Sequence, residues 1–223
     1  MSHEPRAAGG GRALRIGVDI DDVLVESLPE YTRRFGARFG YHVPVEECAW
    51  EIFRRFPEIS PTQMSGFYSE LEASDFLATR PAYPEAVEGL RALGAAGHRL
   101  VVVTGRLPEH LGHTERLLRR EGLRDLFEEL VHRAGDESAA EYKPRIVLER
   151  RLDLLIDDEL HVAAAVGARV PVLLLNRPWN RGALPPGVSR VSTWAEILET
   201  VAKISDGVME PGVTKGGNRW SAA

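Results

Sequence analysis

Three acidic residues lie close together directly after an apolar run. Asp19, Asp21 and Asp22 follow residues 14–18, a run that indicates a buried parallel strand. Parallel sheets bind ligands at the carboxyl ends of their strands, so Asp19 and Asp21 are expected where a ligand can reach them. Clustered carboxylates raise each other's pKa by repulsion, and a divalent cation relieves that repulsion. The pattern predicts a magnesium-dependent phosphoryl-transfer site.

Further polar candidates stand at other strand ends and at a helix start. They are Thr104 and Gly105 after residues 100–103, Asp157 and Asp158 after residues 152–156, and Lys143 before Pro144. Proline is favoured at the first position of a helix, so Lys143 is expected beside free amide groups that attract anions. Each motif alone also occurs in turns, caps and helix starts, so the prediction rests on their conjunction and order.

An Asp-x-Asp pair, a threonine, a lysine and an Asp-Asp pair, in that order, resemble the haloacid dehalogenase superfamily of phosphatases across residues 14–200. The resemblance implies that Asp19 is the nucleophile and forms an aspartyl-phosphate. It implies that Asp21 protonates the leaving oxygen and then deprotonates the hydrolytic water. The resemblance also implies a cap over the active site that helps to choose the substrate.

The other motif residues would bind the phosphoryl group and Mg²⁺, which prefers oxygen ligands. The phosphoryl-binding groups implied are the Thr104 hydroxyl, the Gly105 amide and the Lys143 ammonium group. The metal ligands implied are Asp19, Asp21 through its main-chain carbonyl, and one of Asp157 and Asp158. We prefer Asp157 as the direct ligand, with Asp158 supporting the site without direct contact.

The elements that must position these residues alternate between strand and helix. The strand candidates are residues 14–20, 99–103, 129–132, 152–156 and 170–175. The helix candidates are residues 84–96, 108–121, 139–150, 160–166 and 193–204. The alternation predicts an α/β fold with a doubly wound parallel sheet, which the resemblance makes a Rossmann-like haloacid dehalogenase core.

One interval is too long for this alternation. Asp21 and Thr104 are 83 positions apart, whereas a βαβ unit takes on the order of 30 residues. The surplus predicts a small helical cap, rich in aromatic residues, inserted after the first strand at residues 26–83. The core domain is then residues 13–25 and 84–204, with disordered tails at 1–12 and 205–223.

The sequence constrains the identity of the substrate less than it constrains the type of reaction. Residues 156–158 and 176–181 resemble a bacterial nucleotidase-like group related to cytosolic pyrimidine deoxyribonucleotidases, which implies a (deoxy)nucleoside monophosphate. Trp179, Phe53 and Tyr68 are candidates for contact with a nucleobase, although aromatic residues at helical spacing also build a cap's own core. The alternatives are a phosphosugar phosphatase or mutase on the same scaffold, a phosphoacceptor signalling module, and a non-catalytic phosphate-binding pseudoenzyme.

Composition excludes several other classes. The 223 residues are 43% hydrophobic and carry a net charge of −5, which offers no basic face for a nucleic-acid polymer. The expected partner is therefore a small phosphorylated substrate. A single cysteine, Cys48, excludes an internal disulfide, and no run approaches the ~20 apolar residues of a membrane span. We expect a cytoplasmic protein without a membrane partner, and the oligomeric state stays open, with a homodimer as one alternative.

Overall fold

The computed structural model of the protein describes residues 10–135 and 137–208 and is organised around a parallel β-sheet. The strands are β1 Arg15–Val18, β2 Arg99–Thr104, β3 Phe127–His132, β4 Leu154–Asp157, β5 Val172–Leu175 and β6 Val188–Val191. They lie in the order β3-β2-β1-β4-β5-β6, and all five pairings are parallel. The predicted doubly wound α/β fold is confirmed. Residues 1–9 and 209–223 of the predicted tails lie outside the described residues.

Helices cover both faces of this sheet. The helices are α1 Leu28–Phe39, α2 Pro61–Ala73, α3 Phe76–Thr79, α4 Pro84–Ala95, α5 Leu111–Arg120, α6 Ala139–Glu149, α7 Leu160–Gly167 and α8 Trp194–Ser205. One hydrophobic cluster joins the sheet to α4, α5 and α8, and a second joins it to α6 and α7. The sheet therefore lies between two separate hydrophobic layers, one on each face.

The side chains of the central strands alternate between these two layers. Leu100 and Val102 of β2 belong to the first cluster, whereas Val101 and Val103 belong to the second. Because both faces are buried, the strands appear in the sequence as continuous apolar runs. Gly17 of β1 is required by close packing, since a Cβ at this position would lie 2.7 Å from Cδ1 of Leu152.

Strand β6 was not predicted. Val188 and Val191 are buried, but Ser189 and Arg190 between them are only half-buried, so the strand has no continuous apolar run. It pairs with β5 alone and forms one edge of the sheet. Edge strands need burial on fewer sides, which explains why hydrophobicity does not reveal this one.

Residues 26–83, called the inserted segment below, leave and re-enter the core at one place. The amide of Glu26 donates to the Pro81 carbonyl at 3.1 Å, and the amide of Tyr83 donates to the Leu24 carbonyl at 2.9 Å. The segment contains α1, α2, α3 and two short 3₁₀ helices, Val45–Glu47 and Ile52–Arg55. The two chain crossings thus form a hydrogen-bonded neck.

The inserted segment has a hydrophobic cluster of its own. The members of this aromatic cluster are Leu28, Tyr31, Phe35, Cys48, Ile52, Met64, Phe67, Leu71 and Phe76. Aromatic rings contact one another throughout it: the ring centroids of Tyr31 and Trp50 are 4.9 Å apart, and those of Phe35 and Phe67 are 5.9 Å apart. Most of the aromatic density noted in the sequence therefore stabilises the segment itself.

Helix α5 of the core binds the inserted segment through polar side chains. Arg116 pairs with Asp75 at 2.6 Å, and His113 Nε2 lies 3.2 Å from a Glu72 oxygen. Arg120 donates to the Ala78 carbonyl at 2.7 Å. These contacts fix α3 against α5 and define one side of the boundary between segment and core.

The two ends of the described chain meet beside the sheet. The amide of Arg12 donates to the Ser205 carbonyl at 2.8 Å, and the Arg12 guanidinium pairs with Asp153 at 2.7 Å. The described residues contain no helix that is long and apolar enough to span a membrane.

Candidate active site

The carboxyl ends of three adjacent strands place polar residues side by side. β1 lies between β2 and β4, and these three strands lead directly into or end at Asp19, Thr104 and Asp157. The Asp19 amide donates to the Ile156 carbonyl at 3.0 Å, which extends the ladder between β1 and β4 by one residue. Parallel pairing therefore brings together residues that are far apart in the sequence.

Lys143 connects two of the carboxylates. Its Nζ lies 2.7 Å from Oδ2 of Asp157 and 3.2 Å from Oδ2 of Asp19, and all three side chains are buried. Burial raises the pKa of Asp19 to about 7, although the charge of Lys143 opposes this shift. Burial lowers the pKa of Lys143, but the charges of Asp157 and Asp19 outweigh it and hold that pKa well above its usual value. Lys143 is therefore a charged group in a carboxylate environment.

Three buried carboxylates form a cluster that fits a divalent cation. Oxygen atoms of Asp19, Asp157 and Asp158 lie within 4.8 Å of one another. Within the described part of the chain, the buried Oδ1 of Asp19 has no hydrogen-bond partner, although Lys143 reaches the other oxygen. A buried carboxylate oxygen without a partner is costly, and a set of carboxylate oxygens is the type of site that Mg²⁺ prefers. The donor set therefore fits the cation implied by the sequence.

Asp158 is held by the loop that follows β5. The indole Nε1 of Trp179 donates to Oδ2 of Asp158 at 2.8 Å, and Asn180 Nδ2 donates to its carbonyl at 2.7 Å. Burial raises the pKa of Asp158 well above its usual value, and the charges of Asp22 and Asp157 raise it further. Trp179 thus contacts the acid cluster directly, and its contact with a substrate stays a prediction.

Lys143 lies inside a helix rather than at its start. Helix α6 begins at Ala139, and a capping box formed by Ser138 and Glu141 precedes Lys143. Pro144 is an interior residue of that helix. The expectation that Lys143 stands beside free helix amides was therefore wrong, because the capping box starts the helix about one turn before Lys143. The ammonium group reaches the carboxylates by its side chain alone.

Asp21 is paired with an arginine that the sequence analysis left unassigned. Arg106 donates from Nε to Oδ2 and from Nη2 to Oδ1 of Asp21, each at 2.7 Å. Ser27 Oγ also donates to Oδ1 at 2.5 Å. Burial raises the pKa of Asp21, but the charge and hydrogen bonds of Arg106 outweigh it, so the pKa lies below its usual value. The structure holds Asp21 as an ionised carboxylate.

Arg106 is fixed in turn by helix α5. Its Nη1 donates to Oγ1 of Thr114 at 3.4 Å, and the same oxygen lies 3.1 Å from Nε2 of His132. The Arg106 side chain is 2% exposed, so the guanidinium has little freedom to leave Asp21. The sequence did contain one indication that Arg106 belongs to the site. It directly follows Thr104 and Gly105, at a strand end already assigned to anion binding.

Asp22 organises the turn between the motif and the inserted segment. Its φ of 60° lies in the left-handed region, which Asp tolerates better than most residues. Its two carboxylate oxygens accept hydrogen bonds from the amides of Ser27 and Leu28 at 3.1 and 2.8 Å. Burial raises the pKa of Asp22 to about 8, against these hydrogen bonds. Asp22 therefore caps α1 and fixes the inserted segment relative to Asp21.

Thr104 and Gly105 lie where β2 ends. The Thr104 side chain is buried, and its Oγ1 accepts from the Arg106 amide at 3.2 Å. The Thr104 carbonyl accepts from the Tyr142 hydroxyl at 2.6 Å, and the Gly105 carbonyl accepts from Nε of Arg133 at 3.2 Å. The Arg106 amide is already engaged by Thr104 Oγ1, so the donors left for an anion here are the Thr104 hydroxyl and the Gly105 amide.

Phe53 and Tyr68 line a cleft between the inserted segment and the core. Its volume is about 1130 Å³, and its lining residues include Phe56, Met64, Glu72 and, from the core, His110. Among the residues that line it, none belongs to the carboxylate cluster, and Trp179 is also absent. The structure therefore separates the three predicted aromatic contacts into a pair at this cleft and one at Asp158.

Comparison with known proteins gives consistent results. Residues 12–205 match the family described as 5' nucleotidase, deoxy (pyrimidine), cytosolic type C protein. A Bacillus cereus protein named "Putative nucleotidase" is 24% identical over 195 residues, which covers 85% of this chain and 99% of that protein.

Solved structures share the fold at lower identity. A haloacid dehalogenase-like hydrolase of Streptococcus pneumoniae aligns with a TM-score of 0.63 at 14% identity, over 85% of this chain and 98% of that one. CbbY of Rhodobacter sphaeroides, solved as a mutant with xylulose-(1,5)bisphosphate, aligns with a TM-score of 0.59 at 18% identity, over 82% and 96% of the two chains. Such similarity shows a common architecture and leaves the substrate to be argued from the site.

Proposed function

This chain belongs to the family of 5' nucleotidase, deoxy (pyrimidine), cytosolic type C proteins, within the haloacid dehalogenase superfamily of phosphatases, and we propose that it hydrolyses a (deoxy)nucleoside monophosphate with Mg²⁺ through an aspartyl-phosphate. Family membership makes the chain a phosphatase or nucleotidase. The observation that carries the proposal is the cluster of Asp19, Asp157 and Asp158 with Lys143 between two of them.

Mg²⁺ would be held by Asp19, by the Asp21 carbonyl and by Asp157 or Asp158. When bound, the cation supplies charge that stabilises the negative phosphoryl oxygens. Both oxygens of Asp157 already accept hydrogen bonds, Oδ2 from Lys143 and Oδ1 from the Glu159 amide. For Asp158, the described chain supplies a hydrogen bond at Oδ2. These contacts favour Asp158 as a direct metal ligand more than the sequence alone did. The proposal therefore includes both Asp157 and Asp158 as candidate ligands.

Asp19 would attack the phosphorus atom and form the covalent intermediate. Its carboxylate stands at the end of the central strand with one oxygen against Lys143 and the other without a partner in the described chain. Attack by a carboxylate splits the hydrolysis into two displacements, each with a lower barrier. Lys143, the Thr104 hydroxyl and the Gly105 amide would hold the phosphoryl oxygens during both.

Asp21 would serve both displacements, first as acid and then as base. Its pairing with Arg106 favours the ionised form, which is ready to deprotonate water in the second displacement. In the first displacement, the proton for the leaving oxygen must come to Asp21 against the charge of Arg106. The leaving oxygen of a nucleoside monophosphate is an alkoxide that needs this proton, so Asp21 must carry a proton when the first displacement begins.

The cleft beside the inserted segment supports a substrate with a flat organic group. Phe53, Phe56 and Tyr68 line it together with Arg54, and aromatic rings stack on nucleobases of any sequence. A sugar phosphate would leave these aromatic surfaces unused, so the phosphosugar alternative is the weaker one.

Phosphate release from a panel of nucleoside monophosphates and sugar phosphates, with and without Mg²⁺, tests the proposal. Selective release from nucleotides that EDTA abolishes is the expected result. Release from sugar phosphates alone would replace the substrate assignment and keep the chemistry. Binding of Mg²⁺ without release from any ester would point to a phosphate-binding pseudoenzyme.

A further inference from the structure

Trp179 contacts the acid cluster and the inserted segment at the same time. Its indole Nε1 donates to Oδ2 of Asp158 at 2.8 Å, and Asp158 is 3% exposed. Its ring packs against the aromatic cluster defined above. Among the half-buried residues of the described chain that pack on this cluster, Trp179 alone comes from outside the inserted segment.

The backbone that carries Trp179 is rigidly held. Trp179 lies in the short 3₁₀ helix Pro178–Asn180, which follows β5. The buried Asn180 side chain donates from Nδ2 to the carbonyls of Asp158 and Leu175, each at 2.7 Å, and Arg190 Nη1 donates to Asn180 Oδ1 at 2.5 Å. The loop is therefore tied to the ends of β4 and β5, and the indole has a defined direction.

The neighbouring part of the inserted segment lies directly against this loop. The 3₁₀ helix Val45–Glu47 is in contact with Pro178–Asn180. On this side the segment meets the core at Trp179, and on the other side it meets α5 through His113 and Arg116. A change in how the segment is seated would therefore act on the indole ring, and through its N–H on Asp158.

We propose that Trp179 is a positioning residue that orients Asp158 toward the bound cation and couples this orientation to the seating of the inserted segment. The inference rests on the proposed function only in requiring a divalent cation at the acid cluster. Hydrogen-bond partners of carboxylate ligands set ligand direction, and their loss typically lowers metal affinity by about 10- to 100-fold. The role differs from direct contact with substrate, which the sequence had suggested for this ring.

Calorimetric titration of the full chain with Mg²⁺ tests this inference, and the chain supplies a matched control. Trp179→Phe keeps an aromatic ring for packing and removes the N–H, so its dissociation constant is expected to rise about tenfold or more. Trp194→Phe is the control, because Trp194 is buried and its Nε1 has no hydrogen-bond partner in the described chain. Unchanged affinity of Trp179→Phe would overturn the inference. Absence of Mg²⁺ binding in the wild type would instead overturn the metal site of the proposed function.

A second measurement uses the unsubstituted protein and therefore does not depend on how a variant folds. In ¹⁵N-labelled protein the indole N–H of Trp179 gives its own resonance, assigned by elimination with phenylalanine variants of the other tryptophans. Saturation with Mg²⁺ is expected to shift this resonance and to leave that of Trp194 in place. A Trp179 resonance that stays fixed while Mg²⁺ saturates the protein would overturn the proposal.

Discussion

Arg106 donates two parallel hydrogen bonds of 2.7 Å to Asp21, from Nε and Nη2 to the two carboxylate oxygens. The pair is buried and joins the loop after β2 to the loop after β1. Planar, two-point pairing fixes the plane of the carboxylate as well as its charge. Arg106 therefore sets the direction in which Asp21 can exchange a proton.

Replacing Arg106 with methionine should destabilise the protein and lower turnover. Removal of one partner from a buried ion pair leaves an uncompensated charge and costs about 3–5 kcal/mol of unfolding free energy. Arg106→Lys keeps the charge but loses the two-point geometry, so it should retain more stability than activity. Urea unfolding and phosphate release measure the two effects.

The matched control for this change is Arg145→Met. Arg145 forms ion pairs with Glu137 and Glu149 at 48% side-chain exposure, and exposed pairs contribute little to stability. Equal destabilisation by Arg106→Met and Arg145→Met would contradict the structural importance given to the buried pair.

Asp19→Asn should abolish phosphate release while the protein stays folded. An amide cannot form the acyl phosphate, and the substitution keeps the size of the side chain. Thermal unfolding checks the fold, and Asp125→Asn on the surface is the matched control. Turnover of Asp19→Asn within about tenfold of the wild type would rule out Asp19 as the nucleophile.

The metal-free protein should lose stability as the pH rises from about 4 to about 7. The pKa of Asp19 is raised from 3.8 to about 7, because of burial first and of the charge of Asp157. Between these values the folded protein binds a proton that the unfolded chain has released, so the free energy of unfolding falls with increasing pH. Glu159, whose pKa burial raises from 4.5 to about 7, contributes with the same sign.

Urea midpoints of metal-free protein at about pH 5 and about pH 8 measure this dependence. Asp19→Asn should show a smaller decrease between the two, since one titrating group is removed. Mg²⁺ should restore stability at the higher pH, because it binds the ionised carboxylates. A wild-type midpoint that rises with pH in this range would contradict the assigned pKa directions.

Tyr68→Ala and Phe53→Ala should raise KM for nucleoside monophosphates and leave methyl phosphate, an ester without a ring, unaffected. Loss of one stacked ring costs about 1–3 kcal/mol of base binding, and Tyr68 is 45% exposed, so its removal should change stability little. The small ester is an internal control for the reaction steps. Equal effects on both substrates would show that the cleft does not bind the organic group.

The positions of the central polar residues followed from local sequence. Asp19, Thr104 and Asp157 come directly after apolar runs, and parallel pairing with β1 in the middle brings those strand ends together. Their chemical roles stay predictions. The helix candidate 139–150 predicted the start of α6 correctly, whereas Pro144 wrongly suggested a second helix start beside Lys143.

Contacts between distant loops could not be inferred in this way. Arg106 and Asp21 are 85 positions apart, and their pairing depends on the direction of two side chains at neighbouring strand ends. Trp179 lies in the loop after β5, and the direction of its indole depends on Asn180 and Arg190 holding that loop. Packing sets these side-chain directions, and a local sequence pattern does not reveal them.

The hydrogen-bonded neck of the inserted segment separates sequence changes in the segment from sequence changes in the core. Glu26 pairs with Pro81, and Tyr83 pairs with Leu24, so the chain leaves and returns through one short stretch of ladder. Residues between these crossings that do not contact Trp179 or α5 can therefore be lengthened, shortened or exchanged without altering the register of the sheet. The neck is therefore a point at which one inserted segment could replace another. Related enzymes could in this way come to accept different substrates while they keep the same catalytic residues.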